Sequence, residues 1–194
     1  MPREIILQLA EHAGLPAPVT RALRGMYGQL SRRFRVGNLV GEPFNASNGI
    51  LQGCPISVCM LNLLMHVWTK MVEAECGGLV HPKAYADDAS GRARSAGAIF
   101  GMLDKTREFA ELTGMRLNLK KCNFWATGPA LRSELQTRLC AMFPDENTRP
   151  KLVQHERQLG AQLTFSGRSV GCKDVRRRHD QAADACVRIG SLPL

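Results

Sequence analysis

The chain has 194 residues, 44% apolar and 22% charged, which is enough to bury a sizeable core and excludes a disordered tail or linker. Its 26 lysines and arginines against 17 acids leave a net charge of +9, so a polyanion, nucleic acid first, is the expected partner. The apolar runs 5–9 and 58–67 are too short or too polar at their edges to span a bilayer, and residues 1–20 lack a signal-peptide pattern, so no membrane role and an intracellular location, nucleus or cytoplasm, are expected.

A first helix is predicted because Pro2 suits a first helical position, Ile5, Ile6, Leu9 and Ala13 share a face, and Gly14 can close it. It starts at the first residue with nothing ahead to cover its other flank, which leads us to expect an upstream portion. A second helix is predicted over 18–30. Residues 31–36, the turn pair Gly37-Asn38 and residues 39–45 read as a two-stranded ribbon, with Pro43 at an edge or strand end. Arg21, Arg24, Arg32, Arg33 and Arg35 fall between Thr20 and Gly41 with no acid among them, which describes either a solvated face or a grip on a phosphate backbone.

Residues 48–55 form a glycine-rich loop that opens a long apolar helix, 56–72, broken by Gly77-Gly78. A strand over 79–86 runs into Asp87-Asp88, and 89–93 can return antiparallel, which puts both carboxylates at a hairpin tip. A helix is predicted over 96–112, short strands over 115–119 and 122–126 around Lys120-Lys121, and a helix over 131–142. A polar linker (144–150), a strand pair within 153–165 and a basic helix over 172–189 complete the chain. The seven cysteines are odd in number and scattered, with no CxxC pair, so they read as reduced thiols, mostly buried, rather than disulfides or zinc ligands.

The informative constellation is Tyr85-Ala86-Asp87-Asp88. Adjacent carboxylates repel, so such a pair lies on a solvated turn or is neutralised by a cation. Magnesium takes one or two protein carboxylates and completes its shell with water and phosphates. Strand neighbours face opposite ways, so Asp87, at the strand's end, is the better ligand and Asp88 the more peripheral. Alone, an Asp-Asp turn is commonplace.

Residues 49–57 (GILQGCPIS), then 85–88 (YADD), 113–121 (TGMRLNLKK) and 159–160 (LG) occur in the order and at roughly the spacings of reverse transcriptases of non-LTR retrotransposons and group II introns, which the chain resembles over nearly its whole length. The resemblance implies an α+β polymerase palm, an antiparallel sheet packed on helices, over 1–166, with 167–194 as the start of a helical thumb and the fingers absent. It implies RNA-directed DNA synthesis with Mg2+ or Mn2+, an RNA template, a DNA primer and deoxynucleotide triphosphates. Asp87 and Asp88 would be catalytic and metal-binding. Gln52, Gly53, Tyr85 and Lys121 would contact the nucleotide, and Leu159 and Gly160 would support the primer end. Arg32, Arg33, Arg35, Arg176, Arg177 and Arg178 would contact sugar-phosphate backbone. Plainer readings stand beside these: a loop at a helix start, a strand-end aromatic, a solvated lysine pair.

The chain departs from the family pattern in several places. The family's other metal carboxylate lies on a strand upstream of the helix that Pro2 begins, so the chain is expected to be N-terminally truncated and inactive alone. Val58 replaces a usual second proline, and the strand 90–94 is polar and broken by Gly91. Asp104 and Glu108 fall on a helix expected behind the sheet and are not expected to fill the gap. The alternative class is a non-catalytic basic nucleic-acid-binding module derived from a retroelement. A third reading is an inert fragment that aggregates through an unpaired strand edge.

Overall fold

The computed structural model describes residues 3–46, 48–51, 53–158, 161–164 and 180–184. The expected boundary at 166/167, most of the basic helix, and Gln52, Leu159, Gly160, Arg176, Arg177 and Arg178 lie outside them. Residues 180–184 are helical. The chain forms two compact units, Met1–Leu117 and Asn118–Leu194.

The first unit is built on α1 (Arg3–His12), α2 (Ala17–Gly28), a ribbon of four short strands, α3 (Pro55–Glu75), the hairpin β5 (Val80–Tyr85) and β6 (Asp88–Ala93), and α4 (Ala96–Leu112). Helix α3 is its axis. Met60, Leu64, Met65, Trp68 and Val72 bury one side of it against Ile6 and Leu7 of α1, Leu23 of α2, Val80 of β5 and Phe109 of α4. The α1 stripe is rotated from the expected one. Ile6, Leu7 and Ala10 are buried, whereas Ala13 is exposed beside an open apolar groove of about 540 Å³ that α1, α2 and α3 share. With 21 residues and a mean hydropathy of 1.2 over its most apolar stretch, α3 is long and apolar enough to cross a membrane, contrary to the expectation from its shorter central run. Its place in a packed core accounts for that composition on the buried side.

The ribbon is one antiparallel excursion. β2 (Arg35–Val36) pairs with β3 (Leu39–Val40) around Gly37-Asn38, and β1 (Ser31–Arg32) pairs with β4 (Phe44–Asn45) below them. In the hairpin, Val80 sits opposite Ala93 and Tyr85 opposite Asp88, and no third strand joins either edge among the described residues. The described residues therefore form a mixture of helices and small two-stranded sheets, which agrees with the expected α+β class, while the expected antiparallel sheet is present only as separate strand pairs. Gly91 has a packing reason. A Cβ there would overlap the Met102 side chain of α4 and press on Val80, so the glycine lets α4 lie close on the strand. Ser95 caps α4, its Oγ accepting from the Ala98 N–H at 3.3 Å.

The expected strand over 115–119 is absent. A single 3-10 turn, Leu119–Lys121, leads to β7 (Asn123–Phe124), which pairs in parallel with β8 (Lys151–Leu152). Helix α5 (Pro129–Met142) buries Leu135 and Leu139, and β9 (His155–Gln158) pairs antiparallel with β10 (Ala161–Thr164). Cys54, Cys59, Cys76, Cys122 and Cys140 are free thiols, as expected, but none of the five is fully buried.

Candidate active site

β5 stops at Tyr85, so Ala86 and Asp87 are the two turn residues and Asp88 opens the return strand. Ala86 takes φ +51°, the one positive φ outside glycine among the described residues. An L-residue there costs about 1–2 kcal/mol, which the ladder of six residue pairs below the tip must offset. The consequence is local: Asp87 escapes strand alternation because it lies in the turn. Both carboxylates are exposed, and so is the neighbouring Tyr85, at 67%. The hairpin thus brings Tyr85, Asp87 and Asp88 to one tip. Asp104 and Glu108 on α4 are exposed, and Glu108 accepts from Lys105 Nζ at 2.9 Å.

The loop before α3 owes its shape to two glycines, Gly49 at φ +83° and Gly53 at φ +84°, each with open space where a Cβ would stand. A long-range staple fixes this loop. Arg3 of α1 donates from Nε to the Gly49 carbonyl at 2.8 Å, from Nη1 to the Tyr27 carbonyl at 2.9 Å and from Nη2 to the Ala46 carbonyl at 2.5 Å. Its guanidinium also lies 5.3 Å from the centre of the Tyr27 ring. The Tyr27 hydroxyl shares a buried 3.0 Å hydrogen bond with Ser57 in the first turn of α3. One arginine thereby ties together α1, the end of α2, the ribbon's exit and the glycine loop. Sequence reasoning missed Arg3, and the only signal was an arginine at the start of an amphipathic helix.

Cys54 is the N-cap of α3, and the backbone N–H of Ser57, then that of Ile56, hold its thiol below the ordinary value despite partial desolvation. Burial pushes the Cys122 thiol up. The thiolate is the reactive form, so a lowered pKa means reaction at lower pH. On mapping iodoacetamide adducts by mass spectrometry across a pH series, Cys54 is expected to reach its half-maximal rate at lower pH than Cys122. The reverse order would contradict the assignment.

Arg32, Arg33 and Arg35 sit together on the ribbon, Arg33 and Arg35 exposed. Arg32 Nε and Nη2 are shielded from solvent and have no hydrogen-bond partner among the described residues. Arg24 is engaged elsewhere: its Nη2 lies 2.9 Å from Glu4 and 3.5 Å from Glu11. Lys121 is exposed at the end of its 3-10 turn in the second unit. Among the described residues no group of three His, Cys, Asp or Glu side chains is placed to hold a metal ion.

A model of the reverse transcriptase (RNA-dependent DNA polymerase) family matches residues 2–161. The chain belongs to the reverse transcriptase family. Over 86 residues this reverse transcriptase domain is 33% identical to the retrovirus-related Pol polyprotein from type-2 retrotransposable element R2DM of Drosophila melanogaster. That stretch is 42% of the chain and 8% of the polyprotein. The domain is of the non-LTR retrotransposon kind. Reverse transcriptases as a class work with divalent metal, a nucleic-acid template and nucleotides.

Proposed function

We propose that this reverse transcriptase domain is the palm, with the start of the thumb after residue 166, of a retroelement enzyme for RNA-directed DNA synthesis. In that reaction the primer 3′-hydroxyl attacks the α-phosphate of a deoxynucleotide and pyrophosphate leaves. The observation that carries the reading is the hairpin tip, where a left-handed Ala86 presents exposed Asp87 and Asp88 beside exposed Tyr85. Two solvated carboxylates match what one magnesium ion asks of a protein. Asp87 would hold Mg2+ or Mn2+, with Asp88 supporting it. When bound, the cation supplies charge neutralisation at the phosphates and activation of the attacking hydroxyl.

The remaining roles belong to the chain's own groups. Gly53, with open space in place of a side chain, lets backbone approach the nascent base pair, and Gln52 positions the nucleotide there. Tyr85 packs on the nucleotide sugar or the duplex. Lys121 donates a charge-assisted contact to phosphate. Leu159 and Gly160 support the primer end, and Arg32, Arg33, Arg35 and Arg176, Arg177 and Arg178 grip the backbone.

A two-carboxylate donor set is lean for two-metal chemistry, and no third ligand joins it among the described residues. The chain alone is therefore proposed to have little or no polymerase activity, and the same observation favours a second reading, a non-catalytic nucleic-acid-binding module. Primer extension on an RNA template with magnesium or manganese tests both. At most trace incorporation is expected. Incorporation that vanishes in Asp87→Ala would overturn the inactivity and keep the site, and incorporation indifferent to Asp87→Ala would overturn the site. Under the second reading, salt-dependent binding of nucleic acid persists without metal.

A further inference from the structure

The ribbon carries a feature that its arginines do not explain. Phe34 and Phe44 stack with ring centres 4.8 Å apart and planes at 21°, yet Phe34 stays 72% exposed while Phe44 is 38% exposed. One ring thus backs the other and leaves the outer face of Phe34 to water. An exposed aromatic in a soluble protein usually gains burial from its neighbours, whereas this one gains only a supporting ring. The backbone beneath it is fixed. The Gly41 N–H donates to the Phe34 carbonyl at 2.8 Å, and Arg32 pairs with Phe44 across the ladder. Arg33 and Arg35 flank Phe34 in sequence, both exposed, and between Thr20 and Gly41 there is no acid.

A rigid, open aromatic face between cations is what an unpaired base requires: the ring accepts the base's face whatever its identity, and the cations accept the adjoining phosphates. We propose that Phe34, backed by Phe44, is a stacking site for an unpaired base of single-stranded RNA, with Arg33 and Arg35 on its phosphates. This rests on the reading of the domain as a handler of an RNA template. A double helix hides its base faces inside the stack, so the site discriminates single strand from duplex. Val36 and Leu39, 76% and 78% exposed on the same ribbon, extend the apolar surface past the turn and lack the flat face that stacking uses.

The test is fluorescence anisotropy with a labelled oligoadenylate RNA and with an RNA duplex of equal length, over a salt series. Phe34→Ala is expected to weaken single-strand binding roughly 10-fold or more and to leave duplex binding and the salt slope unchanged. Phe34→Trp should restore it. Arg33→Ala should instead flatten the slope by about 0.7, one phosphate contact. Single-strand binding that is salt-dependent but indifferent to Phe34→Ala overturns the stacking site and leaves the nucleic-acid reading standing. Equal loss in Phe34→Ala and Phe34→Trp also overturns it, since a bare packing role would respond that way. Absence of salt-dependent binding in the unmodified chain overturns the nucleic-acid reading itself.

Discussion

Trp68→Ala is expected to lower the stability of the first unit by about 3–5 kcal/mol, the usual cost of emptying a large aromatic site in a core. Trp68 is 1% exposed and sits mid-way along α3, among Leu64, Met65 and Val72 of its own helix and the inward faces of α1, β5 and α4. Two terms add. The lost apolar burial leaves a cavity that three helices cannot close without moving, and the indole Nε1–H no longer donates to Thr106 Oγ1, a 3.1 Å bond that ties α3 to α4. Against a typical total of about 5–15 kcal/mol, that loss approaches full unfolding. Thermal denaturation followed by circular dichroism should show a midpoint lower by more than about 10 °C. A change of a degree or two would mean that α3 is not the axis of the core. By contrast, the ion pairs of half-buried Lys105 with the exposed Glu75 and Glu108 lie at the surface, and cutting them should be nearly neutral.

Local chemistry was the legible part of this sequence. Gly37-Asn38 announced its turn, Pro55 the start of α3, Gly77-Gly78 its end, and Asp87-Asp88 the hairpin tip, because each depends on a few adjacent residues. Features that depend on distant partners were not legible. The staple from Arg3 to Gly49 spans 46 positions, and nothing in α1 alone marks its arginine for three carbonyls. Gly91 read as a flaw in a strand, since only the packed α4 reveals that Met102 occupies the space of its missing side chain. The expected strand at 115–119 failed because its apolar alternation, Met115 and Leu117 and Leu119, found no partner strand, and the chain instead tightened into a 3-10 turn at Leu119–Lys121. The cysteines were assigned too much burial because residue type sets an average and position sets the fact: Cys59 lies on the exposed side of α3 beside the open groove.

The candidate site divides along the same line. The acidic doublet, the glycine loop and the arginine ribbon can be picked out by eye because each is a short run. Phe34 could not be, since its value as a platform comes from Phe44, ten positions on, which the ribbon folds beneath it.

Asp87→Asn removes one negative charge and keeps the size of the side chain, so it isolates the carboxylate from the turn. Manganese titration followed by nuclear magnetic resonance reports where a divalent cation sits, because the paramagnetic ion broadens amide signals near it. The effect requires no catalysis and therefore reads the site in the chain alone. A ligand in direct contact is worth more than the ~10–100-fold typical of groups that only orient one. Broadening centred on residues 85–88 of the unmodified protein, with at least about tenfold more manganese needed in Asp87→Asn, is the expected outcome. Broadening centred elsewhere, or equal in the two proteins, would contradict the assignment of the hairpin tip as the metal-holding centre.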